Sequence, residues 1–142
     1  MKERIVPDTM AKPVGPYSHA TKVTAKELIF IAGQVPIDND GNVVGIDLKD
    51  KLGNHQTIDL AAQVRQTMLN VKAALEAAGA SFNDLVRVDT FVVASAMNEY
   101  RTIGVKTKHD LLGIRVGGAT VFVTGLMIPN ALIEISAIAA ID

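Results

Sequence analysis

The pattern of hydrophobic and polar positions predicts a chain that combines β-strands with two helices. Residues 28–32 (Leu-Ile-Phe-Ile-Ala) form a continuous apolar run, which is typical of a strand buried on both faces. From about residue 57 to residue 78, apolar residues recur at helical spacing, and Gln63 falls among the polar residues on the other side of this predicted helix. Asp59 in the first turn and Gly79 after the last turn support these limits.

The remaining segments predict further strands and a second, more polar helix. The strands are predicted at 20–24, 85–93, 119–124 and 132–139, the second helix at 97–112, and a loop rich in Gly and Asn at 36–54. Gly104 weakens the second helix by roughly 1 kcal/mol relative to Ala. We expect the strand at 20–24 to pair with the run at 28–32 across a short polar turn. This order predicts one α+β domain over residues 1–142, with a mixed sheet and two helices packed on one face.

Composition narrows the classes of protein that the chain can represent. Of 142 residues, 49% are hydrophobic and 20% are charged, so a packed globule is favoured over disorder. The net charge is −1 and the basic residues are scattered, which argues against a nucleic-acid partner. No stretch approaches the roughly 20 apolar residues of a membrane span, so we expect no membrane partner and a cytoplasmic protein. Cysteine is absent, which excludes thiolate chemistry, and the aliphatic excess leaves room for a subunit interface.

One carboxylate, that of Glu134, interrupts the apolar strand at residues 131–139. An ionised carboxylate in such a run costs several kcal/mol unless it is paired or solvated. Two interpretations are open at this point: one face of the strand meets water, or Glu134 lines a cleft where it takes part in acid–base chemistry.

Four segments in register resemble one known family. They are Gly-Pro-Tyr-Ser-His-Ala at 15–20, Ile-Ala-Gly-Gln-Val-Pro at 31–36, Gln-x-x-Gln-Thr-x-x-Asn-Val at 63–71, and Leu-Ile-Glu-Ile-x-Ala-Ile-Ala at 132–139. Together they resemble the RidA/YjgF family of reactive-intermediate deaminases, some of whose members are named L-PSP-type endoribonucleases. The resemblance implies a chorismate-mutase-like fold and a homotrimer with ligand clefts between neighbouring subunits.

The resemblance also implies roles for individual residues of this sequence. Glu134 matches the glutamate that positions the attacking water, and Tyr17 matches a tyrosine that lines the cleft. Ala32 and Gly33 fall in the family's Ser-Gly-Gln motif, with Ala32 in place of the serine. The loop that contains Pro129 corresponds to one that borders the cleft.

The chain departs from the family where a substrate would be anchored. Gly118 stands in the place of the family's carboxylate-binding arginine, and Gly104 in the place of an asparagine. Such a cleft is roomier and less charged, which favours a larger or less carboxylate-dependent substrate. Arg115 either replaces the lost anchor or is a surface arginine at the entry of the strand. Thr120 lies two residues after Gly118, so we expect both residues to face the same side.

The function that this pattern predicts is a hydrolase or deaminase acting on an imine, an enamine or a related C–N bond of a small metabolite. We expect no cofactor and no metal, because His19, His55 and His109 are far apart and show no metal-ligand spacing. The alternative is a non-catalytic homotrimer of the same family that binds a metabolite or regulates a partner. A ribonuclease is the least supported interpretation, because the charge is scattered and no histidine pair is present.

Overall fold

The computed structural model describes residues 1–47, 52 and 57–142. His55, and residues 48–51, 53 and 54 of the predicted loop at 36–54, lie outside the described residues. In chain order, the elements are β1 (Lys2–Ile5), β2 (Ala20–Val23), β3 (Glu27–Gln34), α1 (Leu60–Ala77), a 3₁₀ turn (Phe82–Asp84), β4 (Leu85–Val93), a second 3₁₀ turn (Ala94–Ala96), α2 (Met97–Glu99), a π-helical turn (Tyr100–Gly104), α3 (Val105–Leu112), β5 (Thr120–Val123) and β6 (Ile133–Ile141).

Four strands form the main sheet, in the order β3-β6-β4-β5. β6 is antiparallel to both of its neighbours, whereas β4 and β5 are parallel. The helix α3 lies between β4 and β5 in sequence, as a parallel connection requires. This arrangement confirms the predicted α+β class with a mixed sheet.

The predicted pairing of the strand at 20–24 with the strand at 28–32 is wrong. β2 pairs instead with β1 in a separate two-stranded antiparallel sheet. The backbone N–H of Thr24 donates to the carbonyl of Met1, whereas the N–H of Lys26 donates to the carbonyl of Ile141, each at 3.0 Å. The chain therefore passes from one sheet to the other between these two residues, and the turn does not close a hairpin.

The core lies between the main sheet and the helices, which all cover the same face. α1 buries one stripe of apolar side chains against this face: Leu60, Val64, Met68, Val71 and Leu75. On β6, every second residue from Ile133 to Ala139 is buried beneath the helices. Burial contributes about 1.5–3 kcal/mol for each large aliphatic side chain, so this layer holds the helices on the sheet. The predicted helix at 57–78 begins three residues later than expected, because Asp59 caps it by accepting from the N–H of Ala62 at 3.0 Å.

The pattern predicted Gln63 on the polar side of α1, but the residue is fully buried. Its Nε2 donates to the carbonyls of Val44 and Asn130 at 3.1 and 2.9 Å, and its Oε1 accepts from the N–H of Leu132 at 2.8 Å. The side-chain amide thus pairs three backbone groups that the burial of this region would leave without partners. Gln63 ties two loops to α1 just before the start of β6.

In the part of the chain that the structure describes, the other face of the main sheet carries no helix. Large apolar side chains on this face are open to solvent in the single chain: Leu28 is 55% exposed, Phe30 is 70% exposed and Val121 is 42% exposed. We call this surface the open face. Large apolar side chains exposed on a sheet face of this kind typically mark a contact with another molecule. No helix in the described part of the chain is both long and apolar enough to cross a membrane.

Candidate functional site

Glu134 lies on the open face of the sheet. Its neighbours along β6, Ile133 and Ile135, point into the core, so strand alternation turns Glu134 the other way. The residue is half-buried, and its carboxylate accepts no hydrogen bond from any other described residue. The strand interpretation and the cleft interpretation are therefore compatible: the carboxylate reaches solvent at a partly enclosed place.

A bulge in β3 shapes the surface beside this carboxylate. The pairing of β3 with β6 is interrupted between Ile31 and Gln34, which leaves Ala32 and Gly33 exposed. A methyl group at Gly33 would lie 2.9 Å from Cδ of Glu134, closer than side-chain carbons approach each other. Glycine at this position therefore gives the carboxylate its room.

A separate cavity of about 240 Å³ lies on the helix-covered side, at the β5 edge of the sheet. Its walls come from the loop before β2, from β4, from α3 and from the segment that leads into β5. The lining residues are Tyr17, Val88, Lys108, His109, Leu112, Val116, Gly118 and Thr120. Three of these residues, Tyr17, Gly118 and Thr120, were proposed for the site from the sequence. The two basic residues, Lys108 and His109, were not.

The backbone at Gly118 leaves no room for a side chain. Its φ is +157°, and a methyl group placed on it would overlap the carbonyl oxygen of Val88. The segment is held against β4 because the N–H of Val88 donates to the carbonyl of Gly117 at 3.0 Å, and that of Thr90 to the carbonyl of Ala119 at 2.8 Å. An arginine at position 118 is therefore incompatible with this backbone.

Gly104 is also required by packing. It ends the π-helical turn, and a methyl group on it would overlap the ring of Tyr100. That ring is buried and lies edge-on to Phe122, with the ring centroids 6.4 Å apart. Burial raises the pKa of Tyr100 to about 12, and the nearby hydroxyls of Thr90 and Thr120 partly oppose the rise. The aromatic ring of Tyr100 therefore takes the space next to the position where the family carries asparagine.

Lys108 is a residue of this cavity that sequence reasoning missed. Only 8% of its surface is exposed, and its Nζ donates to Oγ1 of Thr90 at 3.2 Å. None of the ion pairs among the described residues includes it. Burial lowers the pKa of Lys108 to about 8, because a charged amine is poorly solvated there. The pKa of His109 is also lowered, by the burial of its own ring and by the charge of Lys108, whereas Asp110 partly opposes this effect.

A signal for Lys108 was present in the sequence. Tyr100, Gly104, Lys108 and Leu112 are spaced four residues apart and therefore lie on one side of the helical segment. Because the other three are small or apolar, this spacing places a lysine on the buried side, and all four are indeed buried.

The proposed site residues fall into two groups on opposite sides of the sheet. Tyr17, Gly118 and Thr120 border the cavity, and Gly118 and Thr120 share a side as expected. Ala32, Gly33 and Glu134 lie together on the open face. Within one chain, the sheet separates the two groups, since Thr90 faces Lys108 while its neighbour Phe91 is paired with Glu134.

Two proposed residues belong to neither group. Arg115 is exposed in the segment between α3 and β5 and does not line the cavity, and Pro129 is exposed in the loop before β6. Among residues 1–47, 52 and 57–142, no three histidine or acidic side chains come together in a way that could hold a metal ion.

Known proteins resemble the chain along its whole length. The family described as Endoribonuclease L-PSP matches residues 8–141. A RutC family protein of Pyrococcus horikoshii is 36% identical over 140 residues, which cover 98% of each chain. The 3-aminoacrylate deaminase RutC of Acinetobacter baylyi is 31% identical over 138 residues, which cover 97% of each chain. Among solved structures, a protein of unknown function of the conserved Rid family from Yersinia pestis, YyfB, superimposes with a TM-score of 0.80 at 31% identity, covering 99% of this chain and 98% of that one. These matches confirm the predicted chorismate-mutase-like fold.

Proposed function

Because the chain belongs to the Endoribonuclease L-PSP family, also called RidA/YjgF, we propose that it hydrolyses an imine, an enamine or a related C–N bond of a small metabolite. The observation that carries the proposal is the carboxylate of Glu134, which is half-buried, free of partners among the described residues and given room by Gly33. The deaminase among the relatives supports the reaction class.

The reaction asks little of the protein beyond a positioned water and a proton carrier. An imine carbon is already electrophilic, so water held by Glu134 adds to it while the carboxylate takes up one proton of that water. When the imine is protonated, this addition gives a neutral carbinolamine. The proton then passes from Glu134 to nitrogen, the C–N bond breaks as ammonia leaves, and the carboxylate takes up the hydroxyl proton as the carbonyl forms. No side chain has to act as a nucleophile in this sequence of steps.

The two groups of site residues form one cleft only if a second copy of the chain supplies one of them. We propose a homotrimer in which the open face of one subunit, with Glu134, packs near the β5 edge of the next, with Tyr17 and Thr120. The exposed Leu28 and Phe30 of the open face support this arrangement, because an interface would bury them. The cleft at each seam would then combine the carboxylate of one subunit with the cavity of its neighbour.

Glu134→Gln tests the catalytic role, since the amide keeps the shape of the carboxylate but cannot take up a proton at neutral pH. We expect the variant to lose at least about a hundredfold in rate, the contribution of a general base. Ammonia release from imines generated in solution from several amino acids measures the rate. Glu27→Gln, at the exposed start of β3, is the matched control and should keep full activity. Full activity of Glu134→Gln on a confirmed substrate would show that the assigned role is wrong.

The second candidate is a non-catalytic trimer that binds a metabolite. The two glycine positions favour it, because Gly118 and Gly104 stand where the family resemblance implies polar anchors, and the carbonyl of Val88 and the ring of Tyr100 leave no room there for a side chain. Binding of an imine or its carbonyl product without faster ammonia release would support this candidate against the enzyme.

A further inference from the structure

We infer that the cavity at the β5 edge is an anion site that binds the carboxylate of a small substrate, and that Lys108 is the residue that holds it. The inference deepens the proposed function and rests on it for the identity of the ligand. The positive charge of the site then comes from Lys108 in α3, whereas the family resemblance implies an arginine on the strand, at position 118.

The first observation is that Lys108 is a buried cation whose charge is unmatched among the described residues. Its ammonium group has three donors, and the one neighbour to which it donates is the neutral hydroxyl of Thr90. Such burial costs free energy unless an anion or hydrogen bonds compensate for it. Because Lys108 also lines the cavity, its remaining donors are available to a ligand there.

The second observation concerns the hydroxyl groups in this region, of which those of Tyr17 and Thr120 line the cavity together with Lys108. Thr90 and Thr120 are paired across β4 and β5, so their side chains lie next to each other on the same side of the sheet. Tyr100 lies behind them, and Tyr17 forms another wall of the cavity. Hydroxyl groups can donate to carboxylate oxygens while they also accept from the ammonium group. The cavity therefore offers the hydroxyl groups of Tyr17 and Thr120 as donors, together with one positive charge.

Charge and size select the class of ligand. One ammonium group among neutral hydroxyls matches a monoanion, whereas a phosphate dianion would keep one charge uncompensated in a poorly solvated place. The volume of about 240 Å³ is below the range of roughly 300–1,000 Å³ that is typical of sites for drug-sized ligands. A small carboxylate such as a 2-imino acid fits both limits. This inference replaces the expectation of a less carboxylate-dependent substrate.

The protonation state of Lys108 gives the inference a measurable signature. Burial lowers the pKa of Lys108 to about 8, so a bound carboxylate should raise it by favouring the charged form. Tyr17 and His109 are the other titratable groups that line the cavity, and Tyr100 lies behind the threonines. The pKa of His109 is lowered from its ordinary value, so His109 is already neutral above pH 7 and does not contribute to changes at higher pH.

The test is calorimetric titration with pyruvate, a stable carbonyl analogue of a small imino acid. We expect Lys108→Met to bind pyruvate about tenfold more weakly or worse, since it loses a charge-assisted hydrogen bond. Lys106→Met is the matched control, because Lys106 is on the same helix but is exposed and paired with Asp110. The affinity of this variant for pyruvate should equal that of the wild type. With a pKa of about 8, the charged fraction of Lys108 falls about 30-fold from pH 7 to pH 9.5, so the wild-type affinity should fall over this range toward that of Lys108→Met. NMR of lysine labelled at Cε, which needs no variant for the wild-type titration, should show the pKa of one lysine rise when pyruvate is added.

The outcomes separate this inference from the proposed function. Equal pyruvate binding by Lys108→Met and the wild type, or wild-type binding that does not depend on pH, would overturn the anion site and leave deamination unaffected. Pyruvate binding that depends on Lys108, without any imine turnover, would support the site and refute the enzyme. If inorganic phosphate bound more tightly than pyruvate and required Lys108, the assignment to a carboxylate would be wrong.

Discussion

Replacing Lys108 with methionine should stabilise the folded chain at neutral pH. The amine has a pKa of about 8 in the folded state, compared with an ordinary value of 10.5. At about 1.4 kcal/mol for each pKa unit, burial of the charge costs about 3 kcal/mol. Loss of the hydrogen bond to Thr90 offsets about 1 kcal/mol of the gain. The variant should therefore be more stable than the wild type by about 2 kcal/mol at pH 7.

The pH dependence of this difference follows from the direction of the pKa change. Because the folded pKa is below the unfolded one, the unfolded chain binds more protons between pH 8 and 10.5, and wild-type stability rises over this range. The advantage of Lys108→Met should be constant below pH 8 and disappear by about pH 10.5. Urea denaturation at equal protein concentration, at pH 7 and at pH 10, measures both values.

Lys106→Met should differ from the wild type by less than about 1 kcal/mol, since its ion pair is exposed. If Lys108→Met were less stable than the wild type at pH 7, the amine would have a stabilising partner and the argument for an unmatched cation would fail.

Two further substitutions test the packing that positions the site. Gly118→Ala should lose about 2–4 kcal/mol in urea denaturation, because its methyl group meets the carbonyl of Val88, whereas Gly125→Ala, which has open space around it, should change stability by less than about 0.5 kcal/mol. Equal stability of the two alanine variants would show that the backbone at Gly118 relaxes without cost. Gln63→Leu should lose about 2–4 kcal/mol, because three backbone groups lose their partner. A loss below about 0.5 kcal/mol would mean that water replaces the amide.

The strands and helices of the main layer could be predicted from the sequence because each satisfies a local pattern. β6 is the clearest case, since its buried residues from Ile133 alternate with Glu134 and Ser136 as a sheet covered on one side requires. β1 was not recognised because it is short and its sequence, Lys-Glu-Arg-Ile, is mostly charged. Its partner β2 was consequently assigned to the wrong sheet. Strand pairing depends on contacts between distant segments, which a local pattern does not contain.

The site could be predicted only in part, for a related reason. Glu134 was identifiable because a carboxylate among apolar residues is conspicuous in sequence. Gln63 and Lys108 were missed because polar side chains are ordinarily exposed, and their burial depends on partners far away in the sequence. The steric need for glycine at position 118 likewise depends on the carbonyl of Val88 in another strand.

The central claim is that one subunit supplies Glu134 and its neighbour supplies the cavity. Glu134→Gln and whichever of Lys108→Met and Tyr17→Ala is inactive when refolded alone should be unfolded together in equal amounts and refolded as mixed trimers. A seam is intact only when an unaltered carboxylate meets an unaltered cavity, which occurs at about one seam in four if the subunits mix at random and the trimer is closed.

Ammonia release by the mixed sample, compared with each variant refolded alone, is the decisive measurement. Recovery of about a quarter of the wild-type activity is the result that we expect from a cleft shared between subunits. An inactive mixture, with mixed trimers confirmed by native mass spectrometry, would contradict the shared cleft, because both groups would then have to come from the same chain.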